Sequence, residues 1–264
     1  MLKFHIWKIS IYINKGGIKM RIYQNFKEAY SETLRNLQEF GVIKHKKSSQ
    51  NQVGDFEIKE IQGESFTIEK HDDMYELLDE VIPGIRDWVE GEFQERISPE
   101  YLNPGEAYKL RKDIWDEFLN DGEDGKFGYT YNERIRYQLE DTIELLKKDH
   151  DSTQAVITLY EGQIDTKRRG GHNRVPCSMH YQFFINEEED IGTGETKKRL
   201  DVLYSIRSND FGKFWVTDLI FAAKLGEYIA ERLSTENEKI DGNGRLIYQG
   251  GSLHYYTDRF DHVM

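Results

Sequence analysis

An α+β architecture, with a large mixed β-sheet packed against helices, is what the order of patterns in this 264-residue chain predicts. Helix-period apolar spacing fills the first half, and runs of β-branched and aromatic residues fill the second. No internal repeat or long linker separates them, so one domain is expected over residues 20–264. Residues 1–19 then form an N-terminal extension, with Met20 a candidate start.

That extension holds an apolar run interrupted by Lys8, with no small-residue cleavage site, and is too short to span a bilayer. NFKEAYSETLRNLQEFG reads as a helix capped by Asn25 and stopped by Gly41, and KHKKSSQNQ as a polar loop. DFEIKEIQGESFTIEK is β-like with a turn near Gly63. MYELLDEVIPGIRDWVEGEF is helical and broken at Pro83, AYKLRKDIWDEFLND is helical, and NERIRYQLEDTIELLKKD predicts one long amphipathic helix. QAVITLYEG, SMHYQFFIN and RLDVLYSIR predict strands, with the acidic NEEEDIGTGETK as a hairpin tip. VTDLIFAAKLGEYIAERL is an apolar helix, and RLIYQGGSLHYYTDRF returns to strand.

Composition removes several function classes. A net charge of −12 argues against nucleic acid as a partner, since phosphate backbones need a basic face. No stretch has the length of a membrane span. The single cysteine forms no internal disulfide, which fits a reducing cytoplasm. The eight histidines are scattered without ligand spacing, so no metal is expected, and GTGET lacks the lysine of a phosphate cradle, so no Walker-type nucleotide loop is expected.

That cysteine, Cys177 in RVPCSMHYQFF, carries the chemical interest. A lone cysteine is most often a small buried hydrophobe. As a nucleophile it needs a cation to lower its pKa, and SIRSND at the end of the following strand offers Arg207.

PCSMHYQF, IRSND, VTD and GSLHYY, in that order and spacing, resemble the thymidylate synthase and pyrimidine hydroxymethylase family. DIWDEFLNDGEDGKFGYTY resembles its Ile-Trp-Asp-Glu-Trp segment, although Phe118 and Phe127 depart from the usual aromatics. The SND and GSLH wording is similar to phage deoxycytidylate hydroxymethylases. The resemblance implies a thymidylate synthase-like fold, a homodimer through the sheet, and a pyrimidine nucleoside monophosphate as substrate. It also implies 5,10-methylenetetrahydrofolate as co-substrate.

On that resemblance Cys177 adds to pyrimidine C6, while Arg207 steadies the anion and holds phosphate with Ser208. Gln182, His254 and Tyr256 contact substrate; Trp115, Asp116 and Asp210 line the folate site. Glu90 relays protons, with Glu92 the alternative. Asp218 stands where synthases carry asparagine; an aspartate suits the amino edge of cytosine as an amide suits uracil. Only TDRFDHVM follows Tyr256, which on the resemblance implies an open site favouring water addition and a hydroxymethyl product. Thr153 and Gln154 replace two phosphate-binding arginines, for which Arg168 and Arg169 are candidate substitutes, and no early arginine is evident in GESFTIEKHDD. Alternatives are a synthase methylating dUMP and a non-catalytic nucleotide-binding member.

Overall fold

The computed structural model describes residues 12–13, 19–49, 52–119, 125–166, 174–189 and 196–260. A short ribbon, β1 (Tyr12–Ile13) against β2 (Lys19–Met20), precedes β3 (Ile22–Tyr23). Helix α1 (Phe26–Phe40) starts where the Asn25 side chain accepts from the Glu28 N–H, and Gly41 follows its end.

The next segment departs from expectation. KHKKSS is a strand, β4 (Val42–Ser49), paired antiparallel with the long β5 (Gln52–Ile68). Its lysines lower intrinsic β preference, but charged residues are well suited to an edge strand. Gly63 is not a turn either. It takes φ +72° within a strand whose pairing with β10 (Leu246–Tyr256) runs on either side of it.

Helices α2 (Met74–Val81) and α3 (Arg86–Ile97) flank Pro83 as predicted. The following stretch is broken helical turns, Ala107–Arg111 and Asp116–Phe118, around α4 (Lys112–Trp115). The single long helix expected next divides into α5 (Tyr131–Ile135), opened by a Thr130–Glu133 capping box, and α6 (Leu139–Lys148). Then come β6 (Val156–Thr158), α7 (Gly162–Asp165), β7 (Ser178–Glu189), β8 (Thr196–Asp210), α8 (Trp215–Leu233), β9 (Ile240–Asp241), β10, and α9 (Thr257–Phe260).

The main sheet is mixed and eight-stranded, ordered β3-β5-β10-β8-β7-β6, with β4 also on β5 and β9 also on β8. β8 and β10 run parallel, joined through α8, which packs its buried apolar residues against the core. β7 is antiparallel to β8, so the start of β7 and the ends of β8 and β10 meet at one end of the sheet. The first turn of α8 follows directly from β8 and lies at that same end. No helix among the described residues is long and apolar enough to cross a membrane.

Candidate active site

At this end of the sheet lies a cavity of about 340 Å³. Cys177, Arg207, Ser208, Asp210, Asp218, His254, Tyr256 and Trp115 all line it. They come from the entry to β7, the ends of β8 and β10, the first turn of α8, and α4.

The thiol and guanidinium are held together by the backbone. The Arg207 N–H donates to the Cys177 carbonyl at 2.9 Å, while Nε donates to Pro176 O and Nη2 to Val175 O, each at 2.9 Å. This fixes Nη2 at 3.7 Å from the Cys177 Sγ. The expected cation is therefore in place, yet the thiol pKa is not lowered. Burial pushes it up, and the Asp218 charge adds to that, against the opposing pull of Arg207, Arg174 and Lys46. Asp218 behaves similarly: burial drives its carboxyl from 3.8 to about 7, despite Arg96. Burial likewise brings His254 down to about 4. Its Nδ1 lies 3.2 Å from Ser252 Oγ, which donates to Glu60, itself paired with Lys44.

Other expected residues lie elsewhere. Glu90 does not line the cavity; it is bound to the Tyr75 hydroxyl and to Lys224 at 3.0 Å, which occupies both carboxylate oxygens. Glu92, two residues on and so on a different side of the helix, is the carboxylate that faces inward. It accepts from Arg96 Nε at 2.9 Å and lines a smaller adjoining cavity of about 40 Å³. Asp116 is exposed and outside the lining. Gln182 donates to Thr153 O at 2.9 Å and does not reach the cavity. Arg168 and Arg169 lie outside the described residues.

Sequence reasoning missed Lys46, Arg96, Arg174 and Tyr131, all of which line the cavity. Lys46 comes from the strand expected to be a loop. Burial lowers its pKa, while Glu60, Asp210 and Cys177 work the other way. The usable signal was that Lys44 and Lys46 are two apart, the same-face spacing of a strand. Arg174 lies against three rings, Phe118 at 4.1 Å, Tyr129 at 5.2 Å and Trp115 at 5.3 Å. Among the described residues no group of three or more His, Cys, Asp or Glu side chains is arranged to hold a metal ion.

A thiol pinned beside a guanidinium, at one end of a mixed sheet and sharing a cavity with a half-buried carboxyl, is the kind of arrangement that suits a covalent nucleophile on an α+β scaffold. The family is settled by comparison: the thymidylate synthase family model matches residues 103–264, more than half of the chain, and the chain belongs to that family. Curated relatives agree. Proteins named "Putative thymidylate synthase" from Methanosarcina mazei, Methanosarcina barkeri and Methanosarcina acetivorans are 32%, 30% and 31% identical over 143 residues. The match covers 52% of this chain and 57% of each relative, so the chain spans little more than half the length of these relatives.

Proposed function

We propose that the protein is a folate-dependent C5 hydroxymethyltransferase acting on a cytidine monophosphate, dCMP or CMP, and working as a homodimer. The observation that supports this best is Asp218, a half-buried carboxyl with a pKa near 7, in one cavity with Cys177 and Arg207. A carboxyl at that pKa gives a proton to cytosine N3 and accepts from the N4 amino group. Withdrawing electrons at N3 makes C6 electrophilic. The Cys177 thiolate then adds to C6, with the Arg207 guanidinium beside the sulfur, and C5 becomes nucleophilic. Loss of the C5 proton to water, departure of the folate carrier as tetrahydrofolate, addition of water to the transferred carbon and expulsion of the thiolate would restore the ring and give the hydroxymethyl product.

Lys46, Arg207 and Ser208 supply donors for the phosphate, compensating for the arginines absent at 153 and 154. Methylenetetrahydrofolate would supply the one-carbon unit at the formaldehyde level. The aromatic walls Trp115 and Phe214, with Asp210 at the edge, suit a flat, amino-bearing ring system.

The names of the relatives favour a second reading, a synthase that methylates dUMP. Tritium release from C5-labelled dCMP and dUMP, with methylenetetrahydrofolate present, separates the two. Release from dCMP with a hydroxymethyl product is expected, and Cys177→Ser abolishes it. Release from dUMP alone, with dihydrofolate formed, establishes the synthase. Nucleotide binding with no exchange from either base points to a non-catalytic member.

A further inference from the structure

We infer that Glu60 and Ser252 are positioning residues that fix His254 with its proton on Nδ1. The bare Nε2 then accepts from a sugar hydroxyl of the bound nucleotide. This rests on the nucleotide reading above and adds to it two residues that have no role there.

Strand register brings these side chains together. Ser252 and His254 are two apart on β10 and share a face. Glu60 of β5 stands directly opposite His254, and Lys44 reaches Glu60 from the neighbouring β4. Glu60 is 6% exposed and His254 3%, so both are withdrawn from bulk water. Glu60 Oε1 accepts from Ser252 Oγ, while Oε2 accepts from Lys44 Nζ and, at 3.2 Å, from Gln62 Nε2. Ser252 Oγ lies 3.2 Å from His254 Nδ1. His254 lines the cavity that holds Cys177 and Arg207. With Nδ1 turned to Ser252, Nε2 is the ring nitrogen available to a ligand.

Counting protons along this hydrogen-bond chain leaves one arrangement. Burial works against the Glu60 charge, but the bonds from Lys44 and Ser252 outweigh it and hold the pKa below the ordinary value. Glu60 is therefore a carboxylate, which can only accept. Ser252 has one hydroxyl proton and gives it to Glu60, so toward His254 its oxygen can only accept. The proton between them then sits on Nδ1. Burial, and after it the Lys46 charge, brings the ring pKa down to about 4, so at neutral pH there is no second ring proton. A bond between the ring and the Ser252 backbone raises that pKa, as a ring N–H does by donating to a carbonyl. Both contacts thus favour the same tautomer. A buried acceptor at a cavity wall demands a donor. The sugar of dCMP offers one, its 3′ hydroxyl.

Nitrogen-15 spectra of the His254 ring in the ligand-free protein read the tautomer directly. Binding of dCMP against its 3′-deoxy-3′-fluoro analogue reads the consequence, since fluorine cannot donate. The wild type should show a protonated Nδ1 and favour dCMP by about tenfold or more. Glu60→Gln keeps the shape of the hydrogen-bond chain and reverses it. Lys44 and Gln62 hold the amide oxygen on their side, so the amide N–H faces Ser252. Ser252 then donates to Nδ1, the ring proton moves to Nε2, and the preference for dCMP should narrow by about tenfold. Ser252→Thr, which keeps the hydroxyl, should leave both readings as in the wild type. A bare Nδ1 in the wild type overturns the inference. So does an Nδ1–H retained in folded Glu60→Gln, which would mean that the backbone carbonyl alone sets the tautomer. If that variant does not fold, Ser252→Ala decides: loss of the Nδ1–H signal supports the inference, and its persistence overturns it. An unchanged preference in a variant whose tautomer has moved overturns the sugar contact. The ring spectrum needs no nucleotide, so failure of the cytosine reading, seen as no tritium release from dCMP, remains distinguishable.

Discussion

Asp218 concentrates the conflict between stability and chemistry in one side chain. Its folded pKa, about 7 against an ordinary 3.8, is raised, so its contribution to stability is complete below about 4 and is lost as pH rises through 7. Above that, the fold holds a charge that burial disfavours. Asp218→Asn removes the ionisation, so the variant should gain on the wild type as pH rises. At pH 8 the gain should be about 2 kcal/mol, discounted because the carboxyl is only half-buried, and visible as several degrees in Tm. At pH 4 the advantage disappears. Thermal melts at both pH values check this, and an equal advantage at both would contradict it. The same variant should prefer dUMP over dCMP, because an amide matches O4 and N3–H, with the ratio of kcat/KM shifting by about 100-fold or more. The identity of this residue was legible from its fixed count beyond the Arg207 motif; its pKa was not. Net burial follows from surrounding chain that a linear count does not reveal. For the same reason, Cys177 has its expected cation and yet a raised pKa.

At the level of elements, the site depends on a close approach between β10 and β8. Pairing steps from Gly250–Ile206 to Ser252–Ser208, which leaves Gly251 beside Arg207. A Cβ on Gly251 would meet the Arg207 carbonyl oxygen at 2.8 Å, a backbone atom that cannot swing aside. Gly251→Ala should therefore displace Arg207, and with it the contact to Cys177, lowering turnover by about tenfold or more. A stability cost of about 1–3 kcal/mol should accompany this. Kinetics and denaturant melts on the variant test this, and undiminished turnover would show that the strand spacing is slack. Local pattern located the helices and central strands well: Asn25 caps α1, Pro83 separates α2 from α3, and β7, β8, α8 and β10 lie where expected. It failed where tertiary pairing overrides composition. Polar β4 becomes a strand because β5 extends past β10 and offers it an edge, and that carries Lys46 to the cavity. Glu90 and Glu92 could not be separated in sequence, because helix phase alone does not say which carboxylate Lys224 on α8 will take.

The whole molecule leaves one face of its sheet to be accounted for. α8 covers one side of the central strands, where Leu200 and Val202 pack close to Gly226. The alternate residues point the other way. Leu203 of β8 is in register with Ile247 of β10, which in turn pairs with Thr67 of β5. Phe184 on β7 is on this side too, two pairs along, opposite Asp201. Phe184, Leu203 and Ile247 are half-buried and stand outside the main core cluster. Parallel pairs such as β8–β10 are ordinarily covered on both faces. A second copy, meeting this face through a two-fold axis, would supply the missing layer symmetrically, each Leu203 lying within the same patch on its partner. On this argument the 31.2 kDa chain should sediment at twice its mass, burying on the order of 1,600 Å² or more in total. Leu203→Asp places a charge at the centre of that patch. It should return the protein to a monomer in sedimentation while leaving the circular dichroism of the fold intact, since the residue supports no core contact of its own chain. A wild-type protein that sediments as a monomer at micromolar concentration would mean that the sheet faces solvent, and that its apolar residues are shielded only by their neighbours along the strands.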